Sequence, residues 1–385
     1  MFQVVPKIRF KLTVIPQYTK LKTMKPLQFN QSLLIGSDAE IFLNLGGKTI
    51  GSETVIPKEG LDCGVGKVVR DGIQVELNPK AEFCRAYHNN NIAKCFKDLR
   101  KTLIENFPKV KVDFSPLVKV ARKEFDSLSE ESKQFGCKPS SNTYTGESKI
   151  KVNPKKYLKR TGSGHLHWGI YGIENRLAIN SSEKLVPMFD AILANTCVLI
   201  DRDKNNAERR KNYGLAGEFR YHENERLEYR TLSNFWLKSY PLASMVMGLG
   251  RFAVHLVAQT TKTNNYIKAI QDAVPAKKII KAINSNNFDL AYENFSKLEP
   301  IILEASGTLK DSYPITNATI KEFHYFIKKG IDYWFRSHPL THWCDEYTEG
   351  HQTGGFEFFL QNAVRQDIQN NLKSLPEKTI RDIWV

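Results

Sequence analysis

Arg226-Leu227-Glu228-Tyr229-Arg230, together with Gly162-Ser163-Gly164-His165-Leu166-His167, is the pair of stretches from which the fold is read. In an extended strand alternate side chains share a face, so Arg226, Glu228 and Arg230 project one way and Leu227 and Tyr229 the other. The same rule sets His165 beside His167 and turns Leu166 away. A carboxylate flanked by guanidiniums, with paired imidazoles nearby, suits metal ions and polyphosphate.

Two further segments repeat the pattern. In Ile35-Gly36-Ser37-Asp38-Ala39-Glu40-Ile41-Phe42 the acids alternate with small or apolar neighbours. In Asp71-Gly72-Ile73-Gln74-Val75-Glu76-Leu77-Asn78, Gln74, Glu76 and Asn78 alternate with Ile73, Val75 and Leu77. Each segment alone has an ordinary reading: an ion-pair ladder on a surface strand, structural histidines, or acids on an exposed strand. Solvated sheet faces mix Lys, Thr, Ser and Glu, whereas these segments concentrate Asp, Glu, His and Arg, the types that hold hard cations and phosphate. Their joint occurrence argues for one site.

The set, in this order, resembles the glutamine synthetase superfamily, which includes glutamate–cysteine ligases and predicted carboxylate–amine ligases, some encoded by bacteriophages. In style it is similar to the phage COOH.NH2 ligase type 2 (amidoligase) group, through Gly36-Ser37-Asp38-Ala39-Glu40 and Tyr229-Arg230-Thr231-Leu232-Ser233-Asn234-Phe235-Trp236. The resemblance covers roughly residues 33–240. It departs from glutamine synthetase in having Asp-x-Glu for the first acidic pair and one residue fewer between the glycine turn and the first histidine. The synthetase's own substrate-binding segments are not recognisable here, so glutamate and ammonia do not carry over as substrates.

The resemblance implies an α+β fold: an antiparallel sheet with the active site on its concave face, backed by helices, with a mainly helical C-terminal region. It implies an ATP-dependent carboxylate–amine ligase forming an amide through an acyl phosphate, with Mg²⁺ or Mn²⁺. Asp38, Glu40, Glu76, His165 and Glu228 would be the metal ligands, with His167 as the alternative histidine. Arg226, Arg230, Arg220 and His167 would bind the nucleotide, and Glu76, Arg220 and Arg230 would be catalytic. The chemistry is coherent: a carboxylate resists attack by an amine until ATP converts it to an acyl phosphate, and that phosphoryl transfer needs cations around the phosphate oxygens. Which acid then takes the amine's proton is open. The partners implied are a small-molecule or peptide carboxylate and an amine donor, with a homo-oligomer possible.

Arg220 follows Tyr213-Gly214-Leu215-Ala216-Gly217-Glu218-Phe219, where two glycines suit either close backbone approach to a ligand or a plain hairpin with Arg220 in water. The charged run 201–211 reads as a mobile, solvated loop placed to act as a lid.

Bulk features set the bounds. The chain has 385 residues, 41% hydrophobic and 25% charged, the profile of a soluble globular protein. No apolar run approaches the ~20 residues of a membrane span, and Ser244–Gly250 reads as part of a buried helix. Residues 1–30 lack acids and any continuous apolar stretch, so no signal peptide is expected, and Lys7–Val14 alternates like an edge strand. The six cysteines are scattered without a CxxC pair, which fits a reduced, cytoplasmic protein, host cytoplasm if phage-encoded. His338-x-x-x-His342-x-Cys344 with His351 is a zinc candidate set against a structural loop, its spacing matching no standard finger. The net charge of +15 points to an anionic partner, nucleic acid included, or to solubility alone.

The organisation expected is a basic arm (1–30), a catalytic domain (31–240) with a polar insertion near 124–160, and a helical region (241–385). Helices are expected at 90–107, 183–201, 239–260, 264–282, 286–297, 318–336 and 355–373. Three function classes remain: the ligase, a phosphotransferase on the same fold, and a non-catalytic polyanion-binding protein reusing the scaffold. Asp38, Glu40, Glu76 and Glu228 weigh against the last, since carboxylates in a basic groove repel a polyanion.

Overall fold

The computed structural model describes residues 33–309, apart from 84, 136–139, 149–151, 171–175, 223–225, 239 and 259. The N-terminal arm, the zinc candidate and the helices expected at 318–336 and 355–373 lie outside the described residues. The decisive event comes at the start. β1 (Leu33–Ser37) and β2 (Ala39–Leu45) are one extended run interrupted at Asp38, and the two halves join different sheets.

The first sheet has six strands in the order β1, β12 (Leu166–Ile170), β14 (Leu227–Tyr229), β13 (Glu218–Tyr221), β9 (Ser140–Asn142) and β10 (Gly146–Ser148). The second runs β3 (Lys48–Ile50), β2, β6 (Gln74–Pro79), β5 (Gly66–Asp71) and β4 (Leu61–Asp62), with β7 (Val110–Asp113) also paired to β2. β8 (Leu117–Lys119) pairs with β11 (Lys159–Thr161). Every strand pairing among the described residues is antiparallel. The helices are α1 (Arg85–Asn106), α2 (Arg122–Asp126), α3 (Arg176–Met188), α4 (Asn195–Val198), α5 (Asn206–Arg209), α6 (Tyr240–Ala258), α7 (Thr260–Ala273), α8 (Ala276–Asn284) and α9 (Phe288–Thr308). The expected α+β class, antiparallel sheets and helical C-terminal part are all present. Among the described residues no single helix is long and apolar enough to cross a membrane.

Alternation decides which face is buried. Leu166, Trp168, Leu227 and Tyr229 are at most 1% exposed and form the back of the first sheet. α3, the π-helical turn Phe189–Ala194 and α6 cover that back. A Cβ on Gly250 of α6 would fall 2.5 Å from the Trp168 ring, so the helix lies close over the sheet only because glycine stands there. α6 is buried from Leu242 to Val257 and apolar there except for Ser244, Arg251 and His255, which is why no amphipathic stripe marks it. In α1, Ile92, Phe96, Leu99 and Leu103 form the expected buried stripe. The helix expected over 264–282 is divided into α7 and α8, because Pro275 has no N–H to continue the ladder.

One buried acid ties the sheet to the π turn. Asp190 is fully buried; Tyr229 donates to its Oδ1 at 2.5 Å and Tyr144 to its Oδ2 at 2.9 Å. Burial pushes its carboxyl up to about 7, against the hydrogen bonds from Tyr229 and Tyr144 that favour the anion. A raised folded-state pKa means stability present below the unfolded value near 4 and lost as pH climbs toward 7. Asp190→Asn is therefore expected to gain on the wild type by roughly 3–4 kcal/mol between pH 4 and 8 in denaturant unfolding. A gap independent of pH would refute this.

The expectation of a solvated lid at 201–211 is corrected. Asp201, Asn206, Arg209 and Arg210 are at most 4% exposed. Arg209 donates to the carbonyls of Gly162, Thr231 and Leu232, at 3.2, 3.1 and 2.9 Å. Its side chain is an internal brace between the glycine turn and the end of β14. The charged composition concealed this, because Arg can enter a core wherever backbone carbonyls replace its water.

Candidate metal and phosphate site

The front of the first sheet carries a cross-strand row. Gly36 on β1 opposes His167 on β12, His167 opposes Glu228 on β14, and Glu228 opposes Arg220 on β13. Period two adds His165 and Arg230 on one side of this row and His222 on the other. Asp38, at the break between sheets, reaches both histidines: Oδ1 lies 3.0 Å from His165 Nδ1 and Oδ2 3.2 Å from His167 Nε2. Burial opposes its ionisation, but the neighbouring imidazoles of His167 and His165 hold the carboxyl well below the usual range.

Glu228 is the hub. Oε1 lies 2.8 Å from Arg230 Nη1 and 3.2 Å from His165 Nδ1; Oε2 lies 2.5 Å from His222 Nε2 and 3.5 Å from Arg220 Nη1. Burial and Asp38 disfavour the anion, yet His222, His165 and Arg230 together hold the carboxyl down at about 2. Arg230 has no exposed surface and donates its Nη2 to Tyr213 Oη. Tyr213 Oη also lies 2.9 Å from His165 Nε2, so the tyrosine joins the two. Behind this face Ser37 Oγ is 2.9 Å from Nε2 of buried His88, whose Nδ1 faces the Lys80 carbonyl at 3.1 Å.

The second sheet supplies an acidic group. Glu40 on β2 opposes Glu76 on β6. Asp71 ends β5, and Gly72, at φ +59, turns the chain into β6, opposing Asp71 to Gln74. Asp71 through Asn78 is thus a hairpin rather than the single strand expected, and the turn brings Asp71 beside Glu40. One carboxylate oxygen from each of Glu40, Asp71 and Glu76 lies within 4.8 Å of the others. Burial first, then repulsion from Asp71 and Asp38, raises Glu40 well above the usual carboxylate range. Burial, with Asp38, Asp71, Glu40 and Glu228 adding repulsion, does the same to Glu76. Burial also raises Asp71.

The glycine turn joins the two groups. Glu40 Oε2 accepts from Ser163 N at 3.0 Å, and Glu40 N donates to Ser163 O at 2.8 Å. A Cβ on Gly164 would lie 2.2 Å from the Ser233 carbonyl and 2.3 Å from Trp236 Nε1, so that turn position admits no side chain.

Of the residues singled out from the sequence, Asp38, His165, His167, Glu228, Arg220 and Arg230 converge on the first sheet, and Glu40 and Glu76 meet on the second. Arg226 shares the strand face but sits beyond the hub, where a Cβ on Gly169 would be 3.6 Å from its own Cβ. It makes no ion pair among the described residues, and its Nε is buried without a hydrogen bond. Sequence reasoning missed His222, Asp71 and Tyr213. His222 was legible as Arg220-x-His222 on one strand face, and Asp71-Gly72 as a turn signal. Tyr213 had no local signal.

Residues 154–298 match the family model described as phage phiEco32-like COOH.NH2 ligase-type 2. The likeness to this amidoligase group read from the motifs is thereby shown over that segment. The matched segment contains His165, His167, Arg220, His222, Arg226, Glu228 and Arg230; the acids Asp38, Glu40, Asp71 and Glu76 precede it. No curated protein matches the chain.

Proposed function

We propose that this protein is an ATP-dependent carboxylate–amine ligase of glutamine synthetase-like architecture, working through an acyl phosphate and requiring Mg²⁺ or Mn²⁺. The observation that carries the reading is the group Glu40, Asp71 and Glu76, one buried and two half-buried acids with oxygens within 4.8 Å of one another, whose carboxyls burial raises. Such a set relaxes either by taking up protons or by holding a cation. Its all-oxygen composition fits Mg²⁺, and Asp38, His165 and Glu228 form a neighbouring mixed set for a second ion. Divalent ions held there would neutralise charge spread over the transferred phosphoryl oxygens.

The chain's own groups supply the rest. Arg220, part-exposed at the rim, is the arginine placed to meet a phosphate or a carboxylate bidentately. Arg230 instead positions Glu228 and Tyr213 from inside. A small, largely apolar cavity bounded by Phe135, Tyr157, Asn212 and Tyr213 adjoins Glu40 and Asp71.

The test is product identification with ATP, Mg²⁺ and paired carboxylate and amine panels. Phosphate release that requires both members, with an amide product, supports the ligase; phosphorylation of one acceptor alone would replace it with the phosphotransferase. Glu76→Gln, which removes one carboxylate charge, is expected to lower turnover about 100-fold or more, the scale of losing one preorganised electrostatic group. Unchanged turnover would remove Glu76 from the site.

A further inference from the structure

We propose that the front of the first sheet holds a transition-metal ion through His167, His222 and Glu228, distinct in metal preference from the oxygen-only group on the second sheet. This rests on the metal-dependent reading above and deepens it, giving His167 a metal position of its own beside that of His165 and adding His222. The ligand atoms of the three side chains lie within 4.8 Å of one another. His167 is 3% exposed, and neither ring nitrogen makes a hydrogen bond of acceptable geometry. Nδ1 has no polar partner, and a buried ring nitrogen left so costs stability unless something else occupies its lone pair. Asp38 Oδ2, 3.2 Å from Nε2, stands where it can orient the ring and leave the other nitrogen to ligate. The His167 and His222 rings come from the strand segments on either side of β14, and their centroids lie 5.6 Å apart.

Donor chemistry separates the two positions. Two imidazoles and one carboxylate favour borderline ions such as Mn²⁺, Co²⁺ or Zn²⁺, whereas Glu40, Asp71 and Glu76 offer only the hard oxygens that suit Mg²⁺. Glu228 belongs also to the set with Asp38 and His165, so an ion bound by His222 would sit beside that one and share a carboxylate with it. Arg220, 3.5 Å from the same Oε2 that faces His222, is the group such an ion would displace.

The probe is Co²⁺ added to the full chain in excess Mg²⁺ and followed by visible absorption, with Mg²⁺ binding measured separately by calorimetry. The wild type is expected to bind one Co²⁺ that Mg²⁺ does not displace. His222→Ala should weaken Co²⁺ by at least about 100-fold, more than loss of an outer-sphere partner costs, and leave Mg²⁺ binding intact. His222 is 24% exposed in its side chain, so the fold should tolerate the change, checked by thermal melting. His222→Cys should restore binding with a sulfur-to-cobalt charge-transfer band in the near ultraviolet. Undiminished Co²⁺ binding in the alanine variant, or a folded cysteine variant binding Co²⁺ without that band, overturns the assignment. If Co²⁺ behaves as expected while the chain takes no Mg²⁺ and no ATP, the metal position stands and the ligase reading falls.

Discussion

Glu228→Ala is expected to abolish metal-dependent ATP binding and to destabilise the fold by about 3–5 kcal/mol. Both effects follow from position. The carboxylate is the common partner of Arg230, His165, His222 and Arg220, and it is fully buried. Its removal takes from Arg230, which has no exposed surface, the carboxylate 2.8 Å from its Nη1. Truncating one member of a buried pair costs far more than the pair contributes relative to apolar residues of the same shape. The two losses can be separated: Glu228→Ala with Arg230→Met should recover much of the stability, read by denaturant unfolding, and none of the binding, read by calorimetry with Mg²⁺ or Mn²⁺. Wild-type ATP affinity in either variant would sink the metal and phosphate reading of this face.

Arg209→Met carries the second large effect, an expected loss of about 3 kcal/mol or more, from taking the guanidinium donors away from the interior carbonyls of Gly162 and Thr231 and leaving Leu232 O with Gly164 N alone. A Cβ on Gly214 would fall 2.0 Å from Arg209 Nη1, so the guanidinium is enclosed as well as bonded. A lid residue would behave differently, altering turnover while leaving the melting temperature in place. If Arg209→Met melts with the wild type, segment 201–211 is peripheral and its role as a brace is wrong.

The legible and the illegible parts of the site differ for a physical reason. Side chains within one strand obey a period of two whatever surrounds them, so the common face of Glu228 and Arg230, the pairing of His165 with His167, and the burial of Leu227 and Tyr229 could be read directly from the chain. Asp190 with Tyr144 and Tyr229, a buried acid shared by two phenols from distant segments, carries no such local period. Helix boundaries were legible where an apolar stripe met solvent, as in α1, and blurred where Pro275 divided one periodic stretch into two.

By itself, then, the sequence determined which residue types face together on each strand, that the architecture is α+β, and that acids, imidazoles and guanidiniums recur on the faces of a few strands. Only the tertiary structure decided that the chain changes sheets at Asp38, that Gly72 folds Asp71 back toward Glu40, that Arg209 is a brace, and that His222 and Tyr213 enter the site. Alternation is a property of the backbone and survives in any context. Which strands become neighbours, and in what register, depends on contacts between segments far apart in the chain, and no local pattern encodes those.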